Sequence, residues 1–117
     1  MPLLGFKKQF APMVEAGTKR QTIRAKRKDG KNPHSGERLY LYTGLRTKSC
    51  RKLGEAVCAN VREIMIDGWG ICLSGKWANH DEMMNIVKAD GFTSWTDFLA
   101  FFRKEHGLPF WGLLIEW

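Results

Sequence analysis

Trp95, Phe98, Leu99 and Phe102 recur at i, i+3, i+4 and i+7, and shortly after the last of them a mostly apolar segment opens at Phe110 and lasts to Trp117. The first spacing is the buried face of a helix, and the second has the length and composition of a strand. His106-Gly107 ends the helix, and Pro109 keeps it from continuing. A chain built this way has to lay an amphipathic helix on a sheet. The segment before it repeats the demand: Asn79 is placed to cap a helix whose Met83, Ile86 and Val87 share one face, and Gly91 is placed to end it. Ser94-Trp-Thr-Asp97 then opens the next helix in the manner of a capping box, with Asp in the usual Glu position.

Upstream the pattern is extended. A short helix is expected over residues 10–16, with Pro12 in its first turn and Gly17 at its end. Strands are expected at residues 21–24, 38–43 and 71–73, and one longer extended segment at 54–66, whose apolar phase shifts near Glu63 as a bulge would cause. Residues 26–36 form a polar loop marked by Asp29-Gly30 and Asn32-Pro33. Strands on both sides of a helical pair, without βαβ alternation, predict an α+β fold with a small, largely antiparallel barrel or sheet. With 117 residues the chain fits one domain and buries a single core without metal or disulfide support.

Charge is distributed unevenly. The formal balance is +7, yet residues 1–60 carry 14 Lys and Arg against four acids, while residues 61–117 carry five against eight. A basic half on a compact fold attracts polyanions, of which nucleic acid is the commonest. A membrane surface is the weaker alternative: the longest apolar run, 108–115, is too short to span a bilayer, and Lys7 and Lys8 interrupt the N-terminus before a signal-peptide core. Cys50, Cys58 and Cys72 fit no zinc signature and are read as reduced thiols of a cytoplasmic protein. No metal and no cofactor are expected. His34, His80 and His106 are dispersed and read as solvated or capping residues. Trp95, Phe98, Phe102 and Trp117 are assigned to the core. Trp69 and Trp77 flank a Gly-containing loop and are candidates for stacking on a base.

The usual catalytic signatures are absent: there is no nucleophile elbow, P-loop, zincin helix or dinucleotide fingerprint. What remains is Gly17-Thr-Lys19-Arg-Gln-Thr22-Ile-Arg24, followed by Lys26, Arg27, Lys28 and Lys31. A Thr hydroxyl becomes a nucleophile only when a base takes its proton, and a Lys amine serves as that base only when its pKa falls well below about 10.4. Arg20, Arg24 or burial would lower it. The charge run after Arg24 describes either a solvated loop or a grip on phosphates.

That motif resembles the opening motif of ASCH-domain proteins, members of the PUA-like β-barrel superfamily. Three further segments agree in order: Gly36-Glu-Arg-Leu-Tyr-Leu-Tyr-Thr-Gly44, with Glu37 for the usual Asp; Ala89-Asp90-Gly91-Phe92; and the closing Phe110-Trp-Gly112-Leu-Leu-Ile-Glu-Trp117. The resemblance covers nearly the whole chain and implies a PUA-like barrel with flanking helices that binds RNA or a modified nucleoside. One branch of that family consists of acetylcytidine amidohydrolases that use a Lys, a Thr and a Glu. By that likeness Lys19 is the base, Thr22 the nucleophile, and Asp90 stands where the family Glu aligns, one methylene shorter. Arg20, Arg24, Lys26, Arg27, Lys28 and Lys31 are then the nucleic-acid-binding residues. Other ASCH proteins act as ribonucleases, so binding, deacetylation and RNA cleavage all stand as expectations, as does a plain protein-binding module.

Overall fold

A computed structural model describes residues 3–117. The order of elements is β1 Leu3–Phe6, α1 Ala11–Ala16, β2 Gln21–Arg24, β3 Arg38–Thr43, β4 Arg51–Val57, β5 Asn60–Ile66, β6 Ile71–Leu73, β7 Lys76–Trp77, α2 His80–Ala89, α3 Trp95–Glu105 and β8 Phe110–Glu116. Three strands form one sheet in the order β1-β3-β4, and five form another in the order β2-β8-β5-β6-β7. All pairings are antiparallel except β1 with β3. Among the described residues no ladder joins the two sheets, so the architecture is mixed α+β with two sheets rather than a hydrogen-bonded closed barrel.

The closing strand β8 holds the parts together because it is apolar on both sides. Leu113 and Ile115 pack with Leu4, Phe6, Leu39, Leu41 and Leu53 of the three-stranded sheet and with Val14 of α1. Phe110 and Leu114 pack into a second cluster with Ile64, Ile66 and Ile71, and with Ile86, Val87, Phe98 and Phe102 of the two longer helices. Successive side chains of a strand point to opposite faces, so a continuous apolar run serves two cores at once.

The helix boundaries follow the capping chemistry. Asn79 accepts from the Glu82 backbone N–H while Glu82 reaches back to the Asn79 N–H, and Ser94 accepts from Asp97. α1 is only six residues long and stops at Gly17, whose φ of 80° is left-handed; the backbone N–H groups of Thr18 and Lys19 then bond back to the Met13 carbonyl.

The expected single segment over 54–66 is two strands in different sheets. At Cys58, which is buried, the N–H goes to the Glu37 carbonyl and the carbonyl accepts from Gly36, which ends pairing with the first sheet; Ala59 N–H then bonds Glu116 of β8. The shift in apolar phase therefore marks a change of sheet, and β5 pairs with β8 without interruption through Glu63. The register shift lies between β3 and β4, where Leu53 has no partner opposite Leu41 and Tyr42. The strand β1 was not expected at all: four residues with no alternation of their own are held by parallel pairing to β3.

Gly112 marks the tightest approach in the large sheet. A Cβ there would lie 2.3 Å from the Arg24 carbonyl oxygen and 2.7 Å from the Phe110 ring. Backbone on one side leaves nothing to yield. Gly112→Ala is expected to lower stability by about 1–3 kcal/mol in urea denaturation, the usual cost of overpacking, while Gly54→Ala, whose Cβ meets nothing within 4 Å, costs less.

Candidate functional site

The left-handed turn at Gly17 delivers Lys19 to the start of β2, where its side chain is 3% exposed. Its ammonium donates to Asp90 Oδ1 at 2.9 Å and to the Asp90 carbonyl at 2.7 Å, and lies 4.9 Å from the centre of the Phe10 ring. Asp90 is the C-cap of α2 and is 4% exposed. A carboxylate at a helix C-terminus opposes the helix dipole, and a cation there satisfies both the acid and the last carbonyls. Gln21 adds a donor to Asp90 Oδ1 at 3.4 Å and another bond to the Ile86 carbonyl. Gly91, at φ 98°, is in the left-handed region that favours glycine, and a Cβ there would lie 2.9 Å from the end of the Met13 side chain and 3.1 Å from the Phe10 ring. The short helix and the end of α2 are thus pressed together around the ion pair.

Thr22 and Arg24 follow on the next two positions of one strand face. Thr22 is 5% exposed, and its hydroxyl oxygen accepts from Arg24 Nε at 3.0 Å, which leaves the hydroxyl proton free to be donated. The Arg24 guanidinium also donates to the Gly5 carbonyl and sits 5.0 Å from the centre of the Phe6 ring. Lys19, Thr22, Arg24 and Asp90 all line one cleft of about 240 Å³, walled by Phe6, Phe10, Phe101, Phe102 and His106 and bordered by the Lys7–Glu105 ion pair. An apolar wall with a few converging polar groups is the usual make-up of a small-molecule site, and this volume lies just below the usual range of about 300–1,000 Å³.

Burial shifts the two ends of the ion pair towards each other. It pulls Lys19 below the ordinary lysine range against the opposing pull of Asp90, with Arg24 adding to the fall, and it pushes Asp90 above the ordinary carboxylate range against Lys19, Gln21 and Arg24. Passing a proton from Nζ to Oδ1 therefore costs less here than in water. Arg24 is also drawn down by burial, with Asp90 opposing; a guanidinium stays charged regardless.

The remaining expected site residues lie elsewhere. Arg20 points away from the cleft, its Nε donating to the Trp117 carbonyl, and borders a separate shallow depression with Asn60, Arg62 and Glu116. Lys26 pairs with Glu63 of β5 and Arg27 with Asp29, while Lys28 and Lys31 are exposed and have no acidic partner among the described residues. None of these four lines the cleft. Conversely, sequence reasoning missed Phe6, Phe10, Phe101 and His106 as cleft walls. Apolar character assigns the three phenylalanines to a core, and they do pack there too; His106, read as a solvated or capping residue, is the exposed C-cap of α3 and lies beside Phe102 and Phe110. No signal in the sequence distinguishes a core aromatic from one that also walls a cleft.

No family model, characterised protein or solved structure matches the chain. The site rests on its own geometry. Among the described residues no group of three or more His, Cys, Asp or Glu could hold a metal ion, and no helix is long and apolar enough to cross a membrane.

Asp90→Asn is expected to cost about 3–5 kcal/mol, because it leaves a buried ammonium without its counter-charge, whereas Lys19→Met combined with Asp90→Leu costs less than the two single changes together. Unfolded lysine titrates near 10.4. Between the lowered folded value and that one, the unfolded chain binds more protons, so the stability of Asp90→Asn rises with pH, and more steeply than that of the wild type. Urea titrations across pH 7 to 10 check both statements.

Proposed function

We propose that the cleft binds a modified nucleoside of RNA metabolism and hydrolyses the amide of an N-acylated cytosine, as the resemblance to the ASCH amidohydrolases implies. The observation that carries this reading is the convergence of a buried Lys19–Asp90 pair with the Thr22 hydroxyl in one small aromatic cleft. A PUA-like origin for the fold belongs to the same proposal and is supported by the mixed α+β architecture.

In this reading Asp90 takes a proton from Lys19, leaving a neutral amine beside the cleft. The amine accepts the Thr22 hydroxyl proton as Oγ1 attacks the acyl carbon, and the Arg24 guanidinium stabilises the oxyanion that forms. Collapse breaks the C–N bond, and Lys19 returns the proton to the departing amino group of the cytosine. A water molecule, deprotonated by the same amine, then hydrolyses the acyl ester on Thr22, releasing the carboxylic acid and restoring the hydroxyl. Asp90 acts on the reaction only through Lys19, so a shorter acid than the family Glu suffices provided that it reaches the ammonium, as it does at 2.9 Å. The Phe6 and Phe10 rings suit a planar base.

Chromatographic assay of acetylcytidine conversion tests the reading. Lys19→Ala and Thr22→Ala are each expected to lower kcat by about 10²–10⁴-fold, while Thr22→Ala retains nucleoside binding and Thr22→Ser retains turnover. The rate rises with pH as the neutral fraction of Lys19 grows. An inert wild type, or full activity in both alanine variants, rejects the mechanism.

A further inference from the structure

The face of the five-stranded sheet that carries Leu113 and Ile115 is covered by the first core only in part, and beyond Leu113 it is open. Trp111 on β8 is paired with Met65 on β5, Met65 with Cys72 on β6, and Cys72 with Trp77 on β7. Directly opposed residues share a face, so these four side chains form one row across four strands. Their strand neighbours Phe110, Ile64, Ile66 and Ile71 point the other way, into the cluster beneath α2 and α3. The row therefore lies on the face away from those helices. It is open: Trp111 is 70% exposed, Trp77 60%, and Trp69, in the turn before β6, 93%. At the Trp77 end the row meets the start of α2, where Trp69 and Trp77 border a shallow hollow together with His80 and Met83. At about 4.8 Å per strand, Trp111 and Trp77 stand about 14 Å apart, room for more than one stacked base.

The basic loop starts beside the same row. It leaves β2 after Arg24, whose partner on β8 is Leu113, and Trp111 is the next residue of that face in the direction in which the loop departs. Lys26 reaches across β8 to Glu63 on β5, which puts the beginning of the loop next to Trp111. Lys28 and Lys31 follow, exposed and without an acidic partner among the described residues. Open indole faces on a sheet surface, and uncompensated cations on the loop that starts beside it, fit one kind of occupant. A second copy of this chain would bring like charges together across the contact, whereas a polyanion neutralises them.

We propose that this sheet face binds single-stranded RNA, with bases stacked on Trp111 and Trp77 and phosphates held by Lys28 and Lys31. Base–indole stacking tolerates any sequence because every base presents a π face, so the surface would bind a strand rather than read it. The choice of RNA over DNA rests on the nucleoside reading of the cleft; the stacking surface itself does not depend on it.

Tryptophan fluorescence titration of the full chain with oligouridylate, at several salt concentrations, is the test. Saturable quenching is expected. Trp77→Ala and Trp111→Ala each weaken binding roughly five- to hundredfold, the loss of one stacked base, and Trp111→Phe keeps most of it. Lys28→Gln with Lys31→Gln reduces the slope of log affinity against log salt by about 1.4. All these positions are exposed, and circular dichroism verifies that the variants fold. The proposal is overturned by an absence of saturable binding at low salt, by alanine variants that bind as the wild type does, or by self-association that the tryptophan changes abolish while RNA fails to bind. Tighter binding of oligodeoxythymidylate than of oligouridylate overturns the choice of RNA. The titration reads binding and not turnover, so an inert cleft leaves it standing, and a silent titration leaves the hydrolysis standing.

Discussion

Burial of β8 on both faces is the constraint from which the other placements follow. One row of its side chains joins the small sheet and α1, the other joins the two longer helices, so both cores depend on a single strand. Pairing with β8 fixes β2 at the sheet edge, with Thr22 opposite Ile115 and Arg24 opposite Leu113. Those two side chains of the candidate site thereby face the small sheet, while Ile23 between them enters the helical core. The cleft exists where the edge strand, β1, α1 and α3 meet without filling the space.

Within that frame the Lys19–Asp90 pair has two consequences. It ties the start of β2 to the end of α2, elements 71 residues apart in the chain, and it satisfies the polar groups at a buried helix end. Among the described residues no buried side-chain nitrogen or oxygen is left without a hydrogen-bond partner. The same burial that makes the pair costly brings its two acid dissociation constants together, which is the property that general base chemistry needs. In the proposed mechanism a structural tie and a proton-transfer couple are one object.

Much of the fold was legible locally. The caps at Asn79 and Ser94, the stop at Gly17 and the strands over 38–43 and 71–73 depend on neighbours in sequence, so residue type and spacing determine them. The division at Cys58 was not legible, because the apolar phase shift of a bulge and that of a change of sheet look alike until the partners are known. β1 was invisible for a related reason: its stability comes from β3. Of the candidate site, Lys19, Thr22, Arg24 and Asp90 were named from motif and resemblance, and the fold brings all four to one cleft. Arg20 and the loop at 26–31 were named as nucleic-acid-binding residues because they adjoin that motif in sequence, yet Arg20, which precedes β2, turns to the Trp117 carbonyl, and the loop leaves the cleft behind.

The sequence by itself determined the α+β class, the capped helices, the apolar closing strand and the charge asymmetry, since each is a matter of composition or of spacing over a few residues. Tertiary structure decided which charges are buried and which are free, that Phe6 of β1, Phe10 at the N-cap of α1 and the phenylalanines of α3 wall a cleft, and that three distant tryptophans lie open near one sheet face. Burial and strand register depend on partners far away in the chain. A lysine in a turn carries no mark of its environment until Asp90, Phe10 and Arg24 close around it.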